Sequence, residues 1–155
     1  MSEITEIDAN LASKTGALPS IMLELKHYKD NPRMLAIVSS AFAELMISTL
    51  IRKHCKNGKA ISNNSRDYAF SVRLTLLYEL DIISSNEYEI LNWLRKLRND
   101  AAHNAEFKFT DQHMPSWADS SHKKADTLFS LCVNILGCFW NDRVELFREK
   151  IPLDG

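Results

Sequence analysis

Glycine and proline are scarce in this chain, at 4 residues each among 155. No Gly-rich phosphate loop, G-x-S-x-G sequence or internal repeat occurs in it. The sequence signatures of a phosphate-loop nucleotide hydrolase and of an α/β-hydrolase are therefore absent. Hydrophobic residues make up 45% and charged residues 25% of the chain, which is the balance of a folded domain and not of a disordered segment.

Cysteine is also scarce, and its number is odd. Cys55, Cys132 and Cys138 show no C-x-x-C spacing, so they are interpreted as small core residues in a reducing compartment and not as a disulfide framework or zinc site. Three histidines, His103, His113 and His122, lie nine or ten residues apart without a carboxylate or thiol at ligand spacing. The sequence therefore predicts no metal and no cofactor.

The chain lacks a basic excess. Its formal net charge is -1, whereas a protein that grips the DNA backbone usually carries a clear positive charge. Direct sequence-specific DNA binding is therefore not predicted. Basic residues form two local sets, which are interpreted as solvated helix faces and helix C-terminal charges. The first set is Arg52, Lys53, Lys56 and Lys59, followed by Arg66 and Arg73, and the second is Arg95, Lys96 and Arg98.

An uninterrupted hydrophobic run is missing as well. The longest apolar stretch, Met34–Ile51, contains Glu44 and several serine and threonine residues, and it predicts a buried helix and not a membrane span. The segment Met1–Asn10 is acidic and lacks the basic-then-apolar order of a signal peptide. The sequence predicts a cytoplasmic protein without a membrane partner.

Apolar residues recur at helical spacing along most of the chain, after a lead-in over residues 1–17 that has no sustained period and is predicted to be mobile. Helices are predicted over Pro19–Tyr28, Pro32–Lys56, Ser65–Leu80, from a capping box at Ser84–Glu87 to about His103, and from Ser116 or Asp119 to about Lys150. Lys59–Asn64 is predicted as a polar connection, and Asn104–Trp117 as an irregular one in which Phe107 and Phe109 alternate as in a short extended or hairpin-like segment. The sequence thus predicts one all-α domain over residues 18–150, a helical bundle of about five helices.

The segment that points to chemistry is Arg98-Asn99-Asp100-Ala101-Ala102-His103. A guanidinium can grip a phosphate and stabilise charge on a pentavalent phosphorus. An imidazole can exchange the proton of a 2′-hydroxyl or a leaving oxygen near neutral pH. Asn99 could orient either group, and on a helix it shares a face with His103. This combination is the one that metal-independent RNA cleavage needs.

A purely structural use of the same residues is the other interpretation. Arg98 follows the apolar stripe of its helix and is expected to lean inward, where it needs a partner. Glu44 is an acidic residue in a mostly apolar helix, and an ion pair between Glu44 and Arg98 is predicted. In this interpretation His103 only caps the end of its helix.

The order of residues from Phe70 onward resembles the mannitol operon repressor family of bacteria. The resemblance covers Leu35 to about Asp111 and is most specific between Phe70 and His103. It is carried by Phe70 to Leu80, Ile82-Ile83-Ser84, Glu87-Tyr88-Glu89, Leu94 to Asn99, Ala102-His103, Phe107, and Phe109-Thr110-Asp111. Glu44 stands where that family also tends to have an acidic residue.

The resemblance implies an all-helical fold without a recognisable helix-turn-helix, and an indirect role in transcriptional regulation. That family in turn resembles the HEPN superfamily, many of whose members are RNases that place two Arg-x-x-x-x-His motifs across a dimer cleft. Carried over to this chain, the resemblance assigns Arg98, Asn99 and His103 to the cleft. The leading expectation is a homodimeric, non-enzymatic regulator that acts through a protein partner. The alternative is a metal-independent endoribonuclease with RNA as its partner.

Overall fold

The computed structural model describes residues 17–117 and 127–151, and this part of the chain is entirely helical, with no strand in it. Seven α-helices and a 3-10 helix, Asp111–His113, follow one another within these residues. The α-helices are α1 (Leu18–His27), α2 (Pro32–His54), α3 (Gly58–Asn63), α4 (Phe70–Glu79), α5 (Ser85–His103), α6 (Thr127–Asn141) and α7 (Val144–Lys150). The all-α prediction is confirmed at this level. The predicted mobile lead-in lies outside the described residues except for Ala17.

Helix α2 forms the centre of the bundle. It begins as predicted at Pro32, where the side chain of Asn31 accepts a hydrogen bond from the N–H of Met34 at 3.1 Å. It packs against all six of the other described α-helices. By length and composition alone its 23 residues could cross a membrane, but 61% of its most apolar window is buried within the fold. The apolar run is thus used as a core helix here.

Helix α5, which carries the Arg98–His103 segment, is fixed at both of its ends. At its start Ser84 and Glu87 form both hydrogen bonds of the predicted capping box. At its other end Arg33, in the first turn of α2, donates to the carbonyl oxygens of Asn104 and Ala105 at 2.5 and 2.6 Å. The last turn of α5 is therefore held beside the start of α2. Its buried stripe is Leu91, Leu94, Leu97 and Ala101.

The segment between α2 and α4 departs from the prediction. Most of the expected polar connection is helix α3, because Gly58 lets the chain turn back tightly against α2 and Ile61 packs on the core. The helix expected from Ser65 begins only at Phe70. The cause is a turn in which the side chain of Asn64 accepts a hydrogen bond from the N–H of Asp67 at 3.1 Å.

The predicted last helix is two helices, and together with α3 this split gives the described part of the chain seven α-helices and not about five. The break falls at Asp142 and Arg143, where the guanidinium of Arg143 binds Glu87 at 2.7 and 2.9 Å and the carbonyl oxygen of Ile82 at 3.1 Å. Ser116 lies in a turn and does not begin a helix, whereas Asp119 lies outside the described residues.

Two smaller expectations are also corrected. Phe107 and Phe109 form no strand, and both of their rings pack against the imidazole of His113. Cys138 is exposed and not a core residue, while Cys55 is half-buried. Cys132 is buried as expected, and this burial raises the pKa of its thiol to about 11.

Candidate functional site

An open cavity of about 510 Å³ lies between the C-terminal half of α5 and the 3-10 helix. Four of its side chains, Lys96, Asn99, Asp100 and His103, follow one face of α5 because they are spaced by three, four and seven residues. The rest of the lining is Trp93, Leu97, Asn104, Gln112 and His113. Two of the three residues singled out from the sequence, Asn99 and His103, therefore face one cavity.

Partly exposed hydrogen bonds connect α5 to the loop that forms the far wall of the cavity. Nε2 of His113 lies 2.7 Å from Oδ2 of Asp100, and the amide nitrogen of Asn104 donates to Oδ1 of the same carboxylate at 2.6 Å. The indole N–H of Trp93 donates to the carbonyl oxygen of His113 at 2.8 Å. These bonds satisfy both oxygens of Asp100 and hold the loop against the helix.

The Asp100–His113 pair resembles a catalytic dyad, but its imidazole is fully occupied. The backbone N–H of Thr110 donates to Nδ1 of His113 at 3.0 Å. Nδ1 must therefore be the nitrogen without a hydrogen, and Nε2 carries the hydrogen toward Asp100. Because both ring nitrogens anchor the loop, His113 cannot exchange a proton with a ligand without releasing that anchor.

His103 and Lys96 are the two basic side chains of the cavity, and like Gln112 they have no side-chain partner among the described residues. Both are exposed, and within residues 17–117 and 127–151 neither makes a hydrogen bond or ion pair. His103 lies in the last turn of α5, where a positive charge is favoured by the helix dipole. The imidazole of His103 is thus available to a ligand, in contrast to that of His113.

Arg98 lies beside this cavity and not in its lining. Its side chain is exposed, and Nη1 donates to Oδ1 of Asn99 at 3.3 Å. Residue 98 follows the buried Leu94 by four positions and so continues the apolar side of α5, yet its side chain is exposed to solvent. The structure therefore joins Arg98 to Asn99 outside the cavity lining, while His103 faces the cavity.

The predicted ion pair between Glu44 and Arg98 is wrong. Both side chains are exposed, and no salt bridge or hydrogen bond joins them. Glu44 lies on the outward side of α2 together with Ala41 and Leu45. Because both charges remain in water, neither needs a buried partner. Glu44 has no contact with the cavity at the end of α5.

Sequence reasoning missed several residues of the site. Lys96 could have been found from its spacing of three, four and seven residues to Asn99, Asp100 and His103. His113 could not, because its position depends on how a ten-residue connection folds back. Among the described residues no group of three or more His, Cys, Asp or Glu side chains could hold a metal ion, and His122 lies outside them.

Comparisons of this chain with protein-family models, with curated proteins and with solved structures found no match. The resemblance to the mannitol operon repressor family therefore depends on the quoted residues alone. Membership of that family, the HEPN-like fold and the function they imply therefore stay proposals.

Proposed function

We propose that this chain is a cytoplasmic, non-enzymatic transcriptional regulator or interaction module of the mannitol operon repressor type, with a HEPN-like helical bundle. In this proposal it acts through protein contacts and not through a helix-turn-helix that reads DNA. The observation that carries the proposal is the separation of Arg98 from the cavity that His103 lines.

That separation disfavours cleavage of a phosphodiester within one protomer. Such a reaction needs a cation on the phosphate and an acid or base beside it. Here the guanidinium of Arg98 is directed to the amide oxygen of Asn99. The carboxylate of Asp100 lies within the cavity itself, where it would repel a phosphate. The cavity suits a ligand with hydrogen-bond donors as well as acceptors, such as a polypeptide segment.

Exposed apolar side chains support the protein contacts. Val72, the half-buried Leu76 and Leu80 are spaced by four residues, so they share one side of α4 and its C-terminal end. Val72 and Leu80 are 43% and 46% exposed. An apolar stripe on one helix is a typical contact surface. We propose that it joins two copies of the chain in a homodimer.

The alternative function is a metal-independent endoribonuclease of the HEPN type, and the exposure of His103 favours it. An unpaired, solvent-open imidazole is what a general acid or base requires. In this alternative Arg98 grips the phosphate, Asn99 orients it and His103 exchanges the proton. A second copy would have to complete the site across a dimer cleft.

Incubation of the purified protein with mixed-sequence RNA in EDTA separates the two functions. The parent chain is compared with His103→Ala and Arg98→Ala. His27→Ala and Arg66→Ala are matched controls, because both residues are exposed and neither lines the cavity beside α5. We expect no cleavage by any of these proteins at high concentration, with all of them equally folded.

Cleavage by the parent and by both controls, lost in His103→Ala and Arg98→Ala, would overturn the regulator proposal. It would establish the endoribonuclease instead. Cleavage that survives in all variants would point to a contaminating RNase, since the proposed groups would then be dispensable.

A further inference from the structure

A second cavity lies at the opposite end of α2 and is independent of the site on α5. Its volume is about 550 Å³, and it is formed by the last turns of α2 and the helix α7 that packs beside them. Its lining consists of Thr49, Arg52, Lys53, Leu146, Glu149 and Lys150. It therefore contains two members of the first basic set found in the sequence, together with a third cation from α7.

The charge of this cavity is predominantly positive. Arg52, Lys53 and Lys150 are cations, and Glu149 is the one carboxylate in the lining. Glu149 and Lys150 form a largely exposed ion pair at 3.3 Å, so three cations and one carboxylate leave the lining with a net formal charge of +2. Arg52 and Lys53 make no hydrogen bond or ion pair with the described residues. Their donors are thus free for an anion.

The neighbouring cavity, of about 430 Å³, has the opposite character. It lies on the other side of Lys53 and Leu146 and contains three carboxylates, Asp81, Asp142 and Glu145. Its arginine, Arg143, already uses its guanidinium on Glu87. An anion is therefore expected to prefer the cavity that Arg52 lines.

The electrostatics of the adjacent residue agree with a positive field at this end of α2. Burial lowers the pKa of His54, and the charges of Lys53 and Arg143 lower it further. The cations at the C-terminus of α2 also complement the helix dipole. The same explanation applies to Lys150, which lies in the last turn of α7, but the helix dipoles do not explain why cations from two helices line one cavity.

Helix α7, which forms one wall of the cavity, is anchored to the core. Phe147 of α7 is fully buried, and the guanidinium of Arg143 lies 4.3 Å from the centre of the Phe139 ring. The hydroxyl of Thr49 donates to the carbonyl oxygen of Leu45 at 2.8 Å. It is therefore not a donor to a ligand, so an anion is held by the three cationic side chains. Leu146 supplies an apolar contact in the same lining.

We propose that this cavity binds a small phosphorylated organic molecule. The guanidinium of Arg52 donates two parallel hydrogen bonds to two oxygens of the phosphate. Lys53 and Lys150 neutralise the remaining negative charge from two sides. The organic part of the ligand packs on Leu146. The carboxylates of the neighbouring cavity, on the other side of Lys53, repel the phosphate and so confine it to the cavity that Arg52 lines.

The site can be tested by titrating the ¹⁵N-labelled protein with inorganic phosphate, with phenyl phosphate and with benzyl alcohol at low salt. Phenyl phosphate is expected to shift the amide signals of Arg52, Lys53 and Leu146. It should bind several-fold more tightly than inorganic phosphate because it adds an apolar contact, and benzyl alcohol should not bind. Arg52→Gln and Lys53→Gln should each weaken binding about tenfold.

Lys29→Gln is the matched control, because it removes one exposed and unpaired cation from the turn between α1 and α2. It should change the dissociation constant less than about twofold. Equal weakening by Lys29→Gln would mean non-specific charge attraction and would overturn the proposal. Amide-signal shifts confined to residues other than Arg52, Lys53 and Leu146 would also overturn the proposal. The same holds if a short single-stranded RNA binds through these residues and neither phosphate compound does. Equal affinity for inorganic phosphate and phenyl phosphate would overturn the claim that the ligand has an organic part that packs on Leu146.

Discussion

Arg73 is a buried arginine whose partners are all uncharged. Only 6% of its surface is exposed, and its Nε donates to the carbonyl oxygen of Tyr68 at 2.8 Å. Nη1 donates to the hydroxyl of Ser48 at 3.0 Å, and Nη2 to the carbonyl oxygen of Ser62 at 3.0 Å. Carbonyl dipoles thus take the place of a carboxylate, and one side chain ties α3 and the following turn to α2.

Replacement of Arg73 by methionine is expected to lower the free energy of unfolding by about 3 kcal/mol, because it leaves buried carbonyl groups without donors. Urea unfolding monitored by circular dichroism measures this change. Arg66→Met, at an exposed position without a hydrogen bond, should lie within about 0.5 kcal/mol of the parent. Similar effects of the two substitutions would show that the hydrogen bonds of Arg73 contribute little.

At the level of the helices, the sequence predicted those helix starts that depend on hydrogen bonds between residues close together in the chain. The Asn31-Pro32 start of α2 and the Ser84–Glu87 start of α5 are both confirmed, since each depends on hydrogen bonds within four residues. Helix α3 and the break before α7 were missed, because a close approach of Gly58 to α2 and a contact of Arg143 with Glu87 cause them. Neither contact can be inferred from neighbouring residues.

Two glycines that lie in helices of the described part of the chain provide a matched test of whether a close backbone contact determines the fold here. A Cβ atom at Gly58 would lie 2.5 Å from Cα of Arg52 and would also meet the carbonyl oxygen of Ile51. A Cβ at Gly137 would meet only Cε of Met22, at 3.8 Å. Gly58→Ala is therefore expected to lower the free energy of unfolding by about 2 kcal/mol or more. Gly137→Ala should raise it by about 0.5–1 kcal/mol. Thermal unfolding of both variants checks the opposite signs.

The start of α5 is expected to make stability depend on pH. Burial of Glu87 opposes its ionisation, but hydrogen bonds from Arg143 and Ser84 outweigh this effect and hold its pKa below the usual value. The ionised form therefore stabilises the fold above the unfolded pKa of about 4.3, and this contribution is lost as the pH falls through the lower folded value.

Glu87→Gln keeps a capping side chain and removes only the charge. It is expected to lower the free energy of unfolding at pH 7 by about 1 kcal/mol, a modest value because both partners remain partly exposed. It should also weaken the loss of stability between pH 5 and pH 3 in urea titrations. Glu89→Gln, an exposed position in the same helix, is the control. An unchanged acid profile for Glu87→Gln would contradict the role of the ion pair.

At the level of the whole molecule, the candidate site was only partly predictable. The shared face of Asn99 and His103 follows from helical periodicity, and the structure places both at one cavity. The prediction that Arg98 leans inward and pairs with Glu44 was wrong, because a position next to an apolar stripe is not necessarily buried. The Asp100–His113 contact, which shapes the cavity, joins elements thirteen residues apart and depends on the fold of the intervening loop.

Self-association through α4 is the prediction that concerns the whole molecule. Leu80 ends the exposed stripe on this helix, whereas Leu23 on α1 has the same exposed fraction of 46%. Leu80→Asp should weaken a dimer at least about tenfold, because a charge would be desolvated at the contact, while Leu23→Asp should leave it unchanged. Sedimentation velocity over a range of concentrations measures both, with circular dichroism to show that each variant is folded. A parent chain that is monomeric throughout, or an equal loss in Leu23→Asp, would exclude this face, because a specific contact must distinguish two leucines that are equally accessible to solvent.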